Sequence, residues 1–191
     1  IYRLDRFIWE LAVQKLARWQ QEGHSDLYIS VNISTKDFYY MNVYETITAL
    51  VEKYRIIPST LKLEITETAI MTGTAGELDM IEQFREYGFQ VEIDDFGSGY
   101  SSFNTLKDMD VDVLKIDMGF LRTSKPENLE KSMSILNMII SLSKTLGLSV
   151  VTEGVETKEQ VVKLSQMGCG IYQGYYFSKP IPVEEFEKRY M

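Results

Sequence analysis

Apolar residues recur along this chain in two alternating rhythms, one with a period near 3.6 and one with a period of two. Between Leu4 and Gln21 they fall at Leu4, Phe7, Ile8, Leu11, Ala12, Leu16 and Trp19, the spacing of one helical face, and Gly23 ends the run. Leu27–Ile33 (LYISVNI) alternates as a strand, Ser34 or Thr35 can cap a short turn, and Val43–Tyr54 has the pattern of a second helix. Beyond Pro58, Leu61–Thr66 (LKLEIT) alternates again, and a helix is expected over Gly76–Tyr87, closed by Gly88. Val91–Asp94 is a strand with Val91 and Ile93 on one side and Glu92 and Asp94 on the other. It opens the stretch VEIDDFGSGYSS, where two adjacent aspartates meet a Gly-Ser-Gly loop. The pattern continues with a short helix near Ser102–Lys107, a strand Val111–Asp117 and a long amphipathic helix Pro126–Leu146. A strand Ser149–Glu153, a helix Lys158–Met167, a short strand Gly170–Gln173 and a terminal helix Val183–Tyr190 complete it.

The order is one helix followed by six strand–helix units, which implies parallel strands covered by helices. No linker, low-complexity segment or repeat interrupts the chain, so residues 1–191 are expected to form a single domain. Six units suit an open doubly wound sheet or most of an eight-stranded barrel. The strand ends favour the barrel. Each strand delivers a polar residue at or near its C-terminal end: Asn32, Glu64 with Glu67, Asp94 with Asp95, Lys115 with Asp117, Glu153, and Gln173. An open sheet gathers ligands from two or three strands at a switch point, whereas a (β/α)₈ barrel gathers them from nearly all strands onto one rim.

Alternation assigns faces as well. Asn32, Glu64, Asp94, Lys115, Glu153 and Gln173 can all point inward, because neighbours such as Val31, Leu63, Ile65, Ile93, Leu114 and Ile116 are apolar. Lys62 and Glu92 sit two residues earlier on successive strands and are expected to pair beneath the site, since a lone buried charge costs several kcal/mol. Glu64, Asp94, Asp95 and Glu153 bring four carboxylates together, and such a cluster repels itself when empty. All these donors are hard oxygens, which suit Mg²⁺ or Mn²⁺, and one or two divalent cations are expected. Taken singly, each residue has a plain structural use: Asn32 in a turn, Lys115 with Asp117 as an ion pair, Glu153 as a helix cap.

Composition narrows the partners. The 191 residues carry 20 Lys and Arg against 28 Asp and Glu, a net charge of −8, which argues against a DNA, RNA or anionic-membrane binder. One cysteine, Cys169, excludes a disulfide framework and suits a reducing, cytoplasmic setting. The single His24, in the polar run Gln20–Asp26, reads as a surface residue. No apolar run approaches the ~18–20 residues of a membrane span.

Six blocks then carry a resemblance along essentially the whole chain: VNIS (Val31–Ser34), LEITE (Leu63–Glu67), DDFGSGYSS (Asp94–Ser102), LKID (Leu114–Asp117), TEGVET (Thr152–Thr157) and QGYYFSKP (Gln173–Pro180). In this order they resemble the EAL family of bacterial cyclic di-GMP phosphodiesterases. The resemblance implies a modified TIM barrel that hydrolyses cyclic di-GMP to linear pGpG with two Mg²⁺ or Mn²⁺ ions. By motif, Asn32, Glu64, Asp94, Asp95 and Glu153 would be metal ligands, Asp94 bridging. Lys115, Glu153 and Gln173 would form the catalytic set, with Lys115 orienting the attacking water. Asn32, Ser98 and Gln173 would contact substrate. Glu67, Asp117, Gly97, Gly99 and Ser101 would support the site and the loop Phe96–Ser102, near which a second copy of the domain packs. An upstream GGDEF or sensor domain is a further implied partner.

The departures from the family pattern also count. The Glu-Ala-Leu signature has no counterpart here, and a complete barrel runs to ~250 residues, so about sixty residues and two strands are expected to be missing from the N-terminal side. Met118 stands where the family commonly has arginine, Asp110 where proline is usual, and Thr152 where alanine is frequent. Besides the enzyme, two readings stay open: a non-catalytic cyclic di-GMP receptor or dimerising regulatory domain, and a scaffold that binds no nucleotide.

Overall fold

The computed structural model describes residues 2–98, 111–122 and 126–191, so the helix expected near Ser102–Lys107, and Gly99, Ser101 and Asp110, lie outside the described residues. Two units are distinguished: one runs to Asp94 and takes in 111–113, the other comprises Asp95–Ser98 and Leu114–Met191. Within each unit the strands are hydrogen-bonded in the order in which they occur, β1 to β3 in the first and β4 to β6 in the second.

In the first unit, α1 (Tyr2–Gln21) is followed by β1 (Ile29–Ile33), α2 (Thr35–Tyr40), α3 (Val43–Tyr54), β2 (Leu61–Thr66), α4 (Glu67–Thr72), α5 (Ala75–Tyr87) and most of β3 (Gln90–Phe96). β1, β2 and β3 are parallel, with Asn32 opposite Glu64, Glu64 opposite Glu92, and Thr66 opposite Asp94. Five of the six β2 residues are buried, as expected of a strand covered on both faces. Val31, Leu63, Ile65, Val91 and Ile93 supply the apolar side of these strands.

The face that α1 buries differs from the expected one. Trp9, Ala12, Val13, Leu16 and Trp19 are buried, while Leu4, Phe7, Ile8 and Leu11 are exposed. Both sets recur at helical spacing, and the two tryptophans decide between them because each buries a larger area than any aliphatic side chain. Burial also satisfies polar atoms: Trp9 Nε1 donates to the Asn32 carbonyl at 3.0 Å, and the Gln20 amide donates to Thr60 Oγ1 at 3.0 Å.

Local capping explains several boundaries. Ser34 and Asp37 form a capping box that turns the expected short turn into α2, and Thr66 accepts from the Ala69 N–H to start α4, which the apolar pattern does not signal. Asp112 stops the strand expected from Val111: its Oδ2 accepts from the Val91 N–H at 2.9 Å and its Oδ1 from Arg85 Nε at 3.1 Å.

Asp37 is fully buried, and its Oδ1, like Oδ2 of Asp5 on α1, has no hydrogen-bond partner. Burial above all, then the nearby Asp5 carboxylate, raises the Asp37 pKa above the usual aspartate value of 3.8. A raised acid pKa stabilises the fold below the ordinary value, and that contribution is lost as pH rises through the raised one. Asp37→Asn keeps the oxygen that accepts from Ser34 and gives Asp5 a donor. The variant is expected to be more stable at neutral pH by ~1 kcal/mol, with a flatter decline between mildly acidic and neutral pH. Urea unfolding at both pH values checks this, and a loss of stability at pH 7 would count against it.

The second unit holds β4 (Val113–Ile116, from Leu114 onward), α6 (Pro126–Thr145), β5 (Ser149–Thr152), α7 (Lys158–Gln166), β6 (Ile171–Tyr172) and α8 (Val183–Tyr190). Its strand ends are tied by backbone bonds: Asp117 N donates to Phe96 O at 3.2 Å, Glu153 N to Ile116 O at 3.0 Å, and Gln173 N to Thr152 O at 2.9 Å. Leu114, Ile116, Leu136, Ile140, Val155 and Leu164 form its core. Thr157 and Gln160 cap α7 reciprocally. Among the described residues no helix is long and apolar enough to cross a membrane.

Candidate metal centre

Period-two alternation sets the side chains of Asn32, Glu64 and Asp94 on one face of β1, β2 and β3, since all three share the parity fixed by the register. Glu64 is 9% exposed, whereas Asn32 is exposed. Asp94 stands one row further along than Glu64, opposite Thr66, and the residue facing Glu64 is Glu92. Glu67 is buried at the first position of α4, directly after the strand that carries Glu64. Lys62 and Glu92 pair as expected, with Nζ 3.0 Å from Oε1 and both side chains almost wholly buried.

Among the described residues, two acidic side chains of the second unit meet near the end of β3. Asp95 and Glu153 each offer a carboxylate oxygen, and these oxygens lie within 4.8 Å of each other, with Asp94 the residue directly before Asp95. Asp95 adopts φ 55°, the left-handed region that aspartate and asparagine tolerate better than most residues. That twist turns the carboxylate of a residue which regular alternation would place on the face opposite Asp94. Gly97 follows at φ 90°, and a Cβ there would run into the Phe120 ring, so only glycine fits the loop start. Ser98 is exposed at the end of the described loop.

Lys115 is 4% exposed and its Nζ lies 3.0 Å from Glu153 Oε1. This pairing was not legible in the sequence, where Asp117, two residues away, is the obvious partner. Asp117 instead accepts from the Gly119 N–H at 2.7 Å and opens the short 3₁₀ turn Met118–Phe120. Gly154, at φ 66°, directly follows Glu153 and packs against Met118 so closely that a Cβ would collide with it. Met118 therefore lies beside the backbone that holds Glu153. Gln173 is exposed and its main chain is held on both sides, donating to Thr152 O at 2.9 Å and accepting from Val155 N at 3.1 Å. Arg122, paired with Glu156, was not singled out from the sequence, where nothing marks either residue.

Carboxylates as close as those of Asp95 and Glu153 fit a divalent cation: they are hard oxygen donors, and their mutual repulsion falls when a 2+ charge lies between them. The buried ammonium of Lys115 lies against Glu153 and balances its charge in a nearly dry setting.

A family model described as an EAL domain matches residues 1–180. The bifunctional diguanylate cyclase/cyclic di-GMP phosphodiesterase MucR of Pseudomonas aeruginosa is 33% identical over 185 residues, covering 97% of this chain and 27% of MucR. The cyclic di-GMP phosphodiesterase RocR of the same organism is 32% identical over 185 residues, covering 96% of this chain and 47% of RocR. The chain thus spans well under two thirds of either relative. The solved structure of the PaMucR phosphodiesterase in complex with c-di-GMP is similar at a TM-score of 0.88 and 33% identity, over 96% of this chain and 74% of that one. The EAL domain of Mycobacterium smegmatis DcpA gives 0.86 and 30%, over 97% and 82%. These neighbours bear out the α/β architecture expected above, a parallel sheet with helices of the TIM-like barrel type.

Proposed function

This chain belongs to the EAL-domain family, and on that premise we propose that it hydrolyses cyclic di-GMP to linear pGpG with the help of two Mg²⁺ or Mn²⁺ ions. The observation that carries the reading is the approach of Asp95 and Glu153 oxygens to within 4.8 Å, directly after Asp94, with Lys115 held on Glu153 at 3.0 Å. Asn32, Glu64, Asp94, Asp95 and Glu153 would hold the ions. When bound, such ions supply Lewis acidity, which offsets charge on the phosphoryl oxygens and makes water more acidic.

The chain's own residues do the rest. Lys115, fixed by Glu153, orients the attacking water toward phosphorus, while Gln173, Ser98 and Asn32 contact the nucleotide. Glu67 and Asp117 hold the backbone that carries Glu64 and Lys115. By motif, Gly97, Gly99 and Ser101 would support the site, and a second copy of the domain would pack near Phe96–Ser102. A GGDEF or sensor module elsewhere in the protein would supply the regulatory input. A reducing cytoplasmic setting accords with one free, buried cysteine.

The test is release of pGpG by the protein that carries this chain, with Mg²⁺ or Mn²⁺ and after chelation. Turnover that disappears with EDTA and returns with Mn²⁺ is the expected result. Micromolar binding of cyclic di-GMP without turnover under either metal would make the receptor the correct reading.

A further inference from the structure

A buried polar ladder runs beneath Glu64 in the first unit. Lys62 Nζ bonds Glu92 Oε1 at 3.0 Å and sits 3.8 Å from the centroid of the Tyr28 ring, and Ser30 Oγ donates to Glu92 Oε2 at 3.2 Å. Both oxygens of Glu92 are thereby engaged, and the pair is almost dry, with side chains 10% and 3% exposed. Glu92 lies directly opposite Glu64 on the neighbouring strand, and two residues before Asp94 on the same face. Adjacent parallel strands are ~4.8 Å apart, so Glu92 places a further carboxylate in the row that carries Glu64.

We propose that Lys62, through its ion pair with Glu92, sets how tightly the carboxylates of β2 and β3 hold a divalent cation. The inference rests on Glu64 and Asp94 being metal ligands, as proposed above. Lys62 cancels one negative charge beside that row and, with Ser30, holds the Glu92 carboxylate down, away from a cation held by Glu64. Lys62 and Glu92 are positioning residues in this account and touch neither metal nor substrate.

The two single substitutions then act in opposite directions on metal, though both weaken the empty fold. Lys62→Met leaves Glu92 as an uncompensated buried anion next to Glu64, so Mn²⁺ binds more tightly. Glu92→Gln leaves Lys62 as an uncompensated buried cation two residues before Glu64 on the same strand, so Mn²⁺ binds more weakly. At the short distances across one strand pair, each shift is expected to be about tenfold. The double variant Lys62→Met/Glu92→Gln carries no net change and is expected within about threefold of the starting affinity.

Isothermal titration with Mn²⁺, alongside thermal melting of the metal-free protein, reads both effects without any assay of turnover. Opposite shifts in affinity, lower melting temperatures for both single variants and recovery in the double variant support the proposal, as does near-normal affinity for Lys62→Arg. Affinities that fall together with stability in both single variants, or do not move, overturn it, because a merely structural pair would behave so. Should Lys62→Met fail to fold, Glu92→Gln against the double variant decides: recovery of affinity supports the charge balance, and no recovery refutes it. If the unsubstituted chain binds no Mn²⁺, the metal reading of Glu64 and Asp94 itself falls and takes this inference with it; intact binding with unresponsive variants removes this inference alone.

Discussion

Lys115→Ala is expected to lower kcat for cyclic di-GMP hydrolysis by about 10²–10⁴-fold while KM stays within about threefold. The Lys115 ammonium is buried, 3.0 Å from Glu153 Oε1, and thus held in one place with little freedom to follow the substrate. On the proposed function, a group so fixed would contribute mainly by orienting the attacking water, an interaction made as the transition state forms, and its loss would belong in kcat. The substitution also leaves Glu153 without its cation. Breaking a buried pair by removing one partner costs ~3–5 kcal/mol, so the assay must be run below the lowered melting temperature, with circular dichroism as a control for folding. Steady-state kinetics on the folded variant decide the matter. Equal proportional losses in kcat and in substrate affinity would place Lys115 among the binding groups instead.

The second large effect is expected at Asp95. Asparagine tolerates the left-handed region at least as well as aspartate, so Asp95→Asn should keep the φ of 55° and the path of the chain into Gly97 while removing one charge from the pair with Glu153. Groups that merely steady a metal ligand are worth 10–100-fold in metal affinity. Loss of a ligand itself should reach at least the upper end of that range, about 100-fold or more. Mn²⁺ should then no longer raise the melting temperature of the variant, and turnover at ordinary Mn²⁺ concentrations should fall accordingly. The empty variant should melt at or above the temperature of the unsubstituted chain, because the carboxylate crowded against Glu153 loses its charge. A variant that still gains the full stabilisation from Mn²⁺ would remove Asp95 from the ligand set.

These two effects depend on contacts that differ in how far the sequence announces them. Asp94 and Asp95 are adjacent, and their place at the end of an alternating strand is readable directly. The partnership of Lys115 with Glu153 is not. The nearest carboxylate in sequence, Asp117, is taken by the N–H of Gly119, and the true partner arrives from the end of the next strand. The Lys62–Glu92 pair was legible because both residues fall on the buried face of neighbouring strands, where a lone charge is costly enough to demand a partner. The capping aspartates Asp37 and Asp112 were missed for the opposite reason: an aspartate next to a turn is common, and nothing local tells which backbone N–H it will meet.

The sequence by itself determined the succession of strands and helices, the polar residue that each strand carries to its end, and the hard-oxygen character of the candidate centre. All three follow from the two-residue and 3.6-residue periods, which act over a few positions and need no knowledge of distant neighbours. Only the tertiary structure decided that α1 buries its tryptophan stripe in place of Leu4, Phe7, Ile8 and Leu11, that Glu92 faces Glu64, and that Asp95 turns toward Glu153. Each of these is a choice among locally equivalent options. It is settled by competition for buried area, by register between strands distant in sequence, or by one residue held at a positive φ.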